Sequence, residues 1–170
     1  MTNHRYSAEY VQGVRVAEAR EFLATEGLPE RSVLFVAQEA KEQPAFEERQ
    51  LLRIGGDRAE GSDAGGYHID CASGVILYLN HDSPVPYHVN ASPAQFAACL
   101  RAFGTIACQP VDSADDVDLY LVSERLREEI LSIDSTTATA DDPFWESFYQ
   151  DVASGDYVVE GDADQSSAFS

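Results

Sequence analysis

The chain has 170 residues, 44% of them hydrophobic and 10% aromatic. That suits one globular domain burying about 70% of its unfolded surface, and it excludes an intrinsically disordered chain. The net charge is −19, and residues 111–170 alone hold sixteen acidic against two basic side chains. A field of this sign disfavours nucleic acid and anionic lipid as partners and steers basic proteins in, although solubility alone also accounts for an acidic surface.

In chain order, Val14 to Thr25 places Val14, Ala17 and Phe22 among charges and stops at Gly27 with Pro29 beyond, which predicts an amphipathic helix with a glycine cap. Short β-rich runs follow at Val33–Ala37, Leu51–Gly55, Tyr67–Cys71, Val75–Asn80 and Val85–Val89, punctuated by Gly and Pro as in an antiparallel sheet. Ala72-Ser73-Gly74 between two of these runs has the composition of a tight hairpin turn. Ser92-Pro93 opens a helix through Phe96, Leu100 and Phe103 that is expected to end at Gly104. From Ala114 to Ser132, the residues Leu119, Val122, Leu126 and Ile130 form one apolar stripe. After the polar link Ser135–Thr139, Asp142-Pro143 starts a last helix with Phe144, Trp145, Phe148 and Val152, closed by Gly155. Its aromatics read as core, because helical spacing points them one way. Residues 1–159 then form one α+β domain, and 160–170 an acidic, aperiodic tail expected to fray.

Cys71, Cys99 and Cys108 are odd in number with no CxxC pair, so they suit a reducing, cytoplasmic setting and read as small core hydrophobes. Met1 to Val11 has no signal-like apolar stretch, and runs such as Val75 to Leu79 fall far short of the ~20 residues a membrane span needs.

The chemistry-bearing motifs mostly fail on geometry. His68 and Asp70 share one strand face while Cys71 points to the other, and no downstream Cys pair completes a zinc site, so a sheet-surface His/Asp pair and a core cysteine are the plainer reading. His81-Asp82-Ser83 has the letters of a hydrolase triad, yet three consecutive residues cannot face one another, and with Pro84 they form a turn. The glycines around Asp57 to Ala64 frame an acidic surface loop with no helix to cradle a phosphate. Asp112, Asp115, Asp116 and Asp118 fail the calcium-loop pattern at Val117 and suit a helix start. No catalytic residue, metal or cofactor is expected.

Five segments taken in order resemble the fourth group of the SUKH superfamily of bacterial immunity proteins, common in actinobacteria. They are Phe22-Leu23 with Gly27-Leu28-Pro29; Leu52-Arg53-Ile54-Gly55; Ile69-Asp70 with Gly74-Val75-Ile76; Val89-Asn90-Ala91-Ser92 running into Phe96 and Leu100; and Phe144-Trp145 with Gly155-Asp156. The resemblance implies a twisted, mostly antiparallel sheet with helices packed around it. It also implies a non-catalytic protein that neutralises a polymorphic toxin, often a nuclease or nucleic-acid deaminase, by occluding it. A regulatory interaction module of the same fold is the alternative. For the contact face, the stripe of the Ala114–Ser132 helix turns Glu124 and Glu128 outward with Leu121 and Leu131 beside them, a mixed patch suited to a basic toxin.

Overall fold

A computed structural model describes residues 2–40, 45–46, 49–57, 65–80, 85–111, 118–138 and 144–160. In chain order these form β1 (Asn3–His4), α1 (Ala8–Val11), α2 (Ala17–Thr25), β2 (Leu28–Pro29), β3 (Val36–Ala37), β4 (Ala45–Phe46), β5 (Arg49–Gly56), β6 (Gly65–Asp70), β7 (Ile76–Asn80) and β8 (Tyr87–Asn90). There follow α3 (Pro93–Ile106), β9 (Pro110–Val111), α4 (Leu119–Ile133), a 3₁₀ turn (Ser135–Ala138), α5 (Phe144–Ser154) and β10 (Val159–Glu160). The main sheet runs β3-β5-β6-β7-β8 with every neighbour antiparallel, and β4 also pairs with β5. The fold is α+β, with an open sheet and helices against one of its faces, as the sequence predicts.

Register decides what each face holds. Leu52, Ile69 and Ile76 lie side by side across β5, β6 and β7, and Tyr67, Tyr78 and Tyr87 do so across β6, β7 and β8. This face joins Leu23, Phe35, Phe96, Leu100, Leu126, Ile130 and Trp145 in the core. The opposite face carries Arg53, His68, Leu77 and His88 in a second row.

The hairpin forms where its turn residues predict, because Gly74 supplies φ +79° and Asp70 Oδ1 accepts from the Ala72 and Ser73 amides at 2.8 and 3.2 Å. Other matched segments have equally local reasons. Gly27 sits at φ +74° after α2, with its position pressed against the backbone of His4. Gly55 leaves room for the Phe35 ring, and a side chain there would also stand 2.6 Å from Val36 O. Trp145 donates its indole N–H to Val89 O at 2.9 Å, tying α5 to β8. Ser92 caps α3 by accepting from Gln95 N.

Asp134, immediately after α4, is 1% exposed. Its carboxylate accepts from Asn90 Nδ2 (2.9 Å), Ala91 N (2.8 Å), Thr136 N (3.0 Å) and Thr136 Oγ1 (2.6 Å). Burial works to raise its pKa, but these donors outweigh burial and hold it below the ordinary value.

Three expectations change. The first helix starts at Ala17 rather than Val14, because Val14 N–H turns back onto Val11 O, and the one-turn α1, capped by Ser7, precedes it. Gly104 does not end α3, which keeps αR geometry to Ile106 and is capped at Ala107, burying that alanine. Leu119 and Val122 are half-buried; the face of α4 turned fully inward is Ser123, Leu126 and Ile130. Residues 114–117, Thr139, Asp142-Pro143 and the tail residues 161–170 lie outside the described residues, while β10 takes in Glu160 and pairs in parallel with β9.

Candidate partner-binding surface

Helix α4 is built to show one face and hide the other. Asp118 caps it, accepting from Leu121 N at 3.2 Å, and Ser123 Oγ donates to Tyr149 O at 2.7 Å on α5. Arg127 spans to α5 with a bidentate pair to Glu146 (2.6 and 3.0 Å), lies 4.5 Å from the centre of the Tyr149 ring, and reaches Glu124 at 3.4 Å. The hydrogen-bonded Arg127 lowers the Glu146 pKa. Helical spacing sets Leu121, Glu124, Glu128 and Leu131 along one flank. Leu121 is 62% exposed and Glu128 is exposed, whereas Leu131 is half-buried and Glu124 shares Arg127 with Glu146. Tyr120, 64% exposed beside Leu121, extends the flank and was not singled out from the sequence. The signal was there, since at about 100° per residue Tyr120 is turned away from the apolar stripe of Leu119, Val122, Leu126 and Ile130 and towards Leu131.

A cleft of about 500 Å³ opens where the tyrosine row meets α5. Tyr67, Tyr78, Tyr87, Phe144 and Phe148 supply its aromatic wall, with Asp57 and Asn80 among the polar lining groups. Tyr78 donates its hydroxyl to Asp57 Oδ2 at 2.6 Å. Gly65 makes the reach possible, because a Cβ there would collide with the Tyr78 hydroxyl and stand 2.6 Å from Leu79 O. Burial, then the bond to Asp57, raises the Tyr78 pKa, so the phenol stays protonated.

The candidate chemistry resolves differently. His68 is buried, not on the sheet surface, because it sits between Arg53 and Leu77 in the second row. Its Nδ1 donates to Gly66 O at 2.9 Å, and burial pushes its pKa down to about 4, against the Gly66 bond and with help from Arg53. The Asp70 carboxylate is engaged by the hairpin turn. Cys71 and Cys99 are buried free thiols, and burial pushes Cys99 up to about 12 and raises Cys71. Cys108 is half-buried. Among the described residues no three His, Cys, Asp or Glu side chains converge as a metal-binding group, and no helix is long and apolar enough to cross a membrane. His81-Asp82-Ser83, Asp112, Asp115, Asp116 and positions 58–64 of the acidic loop lie outside the described residues; Asp118 is the α4 cap.

The family model described as SUKH-4 immunity protein matches residues 3–151. No curated protein and no solved structure matches the chain. The matched span takes in the whole main sheet and all of α1 to α4, with α5 up to Asp151. The chain belongs to the SUKH-4 immunity protein family.

Proposed function

We propose that the chain is a non-catalytic, cytoplasmic immunity protein that neutralises a basic toxin domain, a nuclease or nucleic-acid deaminase, by binding and occluding it. The observation that carries this reading is the outer flank of α4, where Tyr120 and Leu121 stand exposed beside Glu124 and Glu128 on a chain of net charge −19. Exposed aromatic and aliphatic groups supply desolvation energy at a contact, and the surrounding acids speed the approach of a cationic partner. Supporting the non-catalytic reading, His68 is buried and neutral and Asp70 serves the turn, so neither is placed to meet a substrate.

The test begins with proteins retained on the immobilised chain from its native host. A toxin domain identified among them is co-expressed with the chain, and growth protection is scored. The Glu124→Lys/Glu128→Lys variant should fold, associate more slowly and lose most of the salt dependence of its association rate. Rates matching the parent at low and high salt would remove this flank from the interface. Failure to protect growth while still binding would favour a regulatory interaction module.

A further inference from the structure

We infer that the aromatic cleft receives an arginine or lysine side chain of the protein partner. The inference deepens the immunity reading and rests on it for the partner being a protein.

The argument is chemical complementarity. Tyr67 is the buried floor, while Tyr78, Tyr87 and Phe148 are half-buried and keep part of their surface open to the cleft. Ring faces carry negative charge density and attract a cation within about 6 Å. Among the described residues, the lining includes one carboxylate, Asp57, and no cationic side chain. Arg53 sits on the other sheet face, its guanidinium donating to the Gly55 and Gly65 carbonyls at 3.4 Å. The phenol of Tyr78 fixes one Asp57 oxygen, and a carboxylate offers about four lone-pair sites, so capacity remains for a cation. Val33, Leu34 and Phe148 present apolar surface for the methylene stem of a long basic side chain. A volume of about 500 Å³ exceeds one side chain and leaves room for adjoining backbone, with the Asn80 amide and Ser147 hydroxyl as polar partners. An acidic side chain would meet Asp57, and a purely aliphatic one would leave that half-buried carboxylate unanswered.

The experiment titrates the ¹⁵N-labelled full chain with N-acetylarginine amide, N-acetylnorleucine amide and tetramethylammonium, following the amides of Asn80, Tyr87, Ser147 and Phe148. The arginine compound should move these signals, with the norleucine compound about fivefold weaker or more. Asp57→Asn, which keeps an acceptor for Tyr78, should weaken the arginine compound by about fivefold and leave the norleucine compound unchanged. Equal binding of arginine and norleucine would overturn the cation site in favour of a plain apolar groove. Tighter binding of tetramethylammonium would overturn the side-chain assignment in favour of a small quaternary ammonium. Unmoved signals with all three would overturn the site altogether. The titration uses no toxin, so it can fail while growth protection stands, and the reverse holds equally.

Discussion

Replacing Asp134 with alanine removes the acceptor at which the β8–α3 corner meets the end of α4. Four donors converge on the carboxylate, and bonds to a charged acceptor are worth about 1.5–3 kcal/mol each, but the sum overstates the loss. Thr136 is exposed and regains water in the variant, and deleting the carboxylate also deletes its own burial cost. What remains is set by two donors left inside, Asn90 Nδ2 and Ala91 N, the former keeping only a 3.4 Å contact to Cys99 Sγ. At about 1–3 kcal/mol per stranded donor, we expect a loss near 3 kcal/mol, or roughly 6–12 °C in Tm for a chain this long. Urea unfolding followed by circular dichroism gives the free energy. The pH dependence gives a second handle. Because the folded carboxyl titrates below its ordinary value of 3.8, its contribution is fully present above that value and is lost as pH falls through the folded pKa. Asp134→Asn should lose about 1–2 kcal/mol, since one acceptor becomes a donor facing donors, and should lack that acid-side loss. An alanine variant within about 0.5 kcal/mol of the parent would refute the reasoning, because surface substitutions alone span that range.

Gly55→Ala should destabilise by about 1–3 kcal/mol, measured by the same unfolding, because the new methyl meets the Phe35 ring packed edge-on to Tyr67 and Phe96. His68→Leu should flatten the fall in stability between about pH 6.5 and 4, where the unfolded chain takes up a proton that the buried ring refuses, and should leave partner binding intact; a stability profile unchanged over that window would contradict the burial assigned to His68. Truncation after Glu160 should leave Tm within about 2 °C of the parent, since the remaining sequence has no apolar periodicity, and a larger drop would show that Phe169 docks.

Much of this fold could be read from the sequence wherever one residue type has one local reason to be there. Gly74 marks the hairpin and Ser92-Pro93 starts α3, because left-handed turns and helix first turns accept few alternatives. Two-residue strands such as β1 and β2 leave no period to detect, and their existence depends on partners far along the chain, as Asn3 opposite Pro29 shows. Gly104 misled for a related reason. A glycine ends a helix only if the chain then turns, and here Ala107 continues to bury itself, outweighing a cost of about 1 kcal/mol for glycine in a helix.

The candidate site shows where local reading stops. The α4 flank was accessible because an apolar stripe fixes its opposite, and Tyr120 belongs to it by the same geometry. The cleft was half accessible. The turn at Ala72–Gly74 sets Ile69 against Ile76, so it also sets Tyr67 against Tyr78, and that much is arithmetic on the hairpin. Asp57 could not be placed this way, because it reaches Tyr78 only after β5 has bulged between Arg53 and Gly55 and Gly65 has left space for the hydroxyl. Net charge made the partner's sign an early expectation. A carboxylate fixed at a tyrosine row turns that long-range preference into a place for one basic side chain, and such specificity requires tertiary structure.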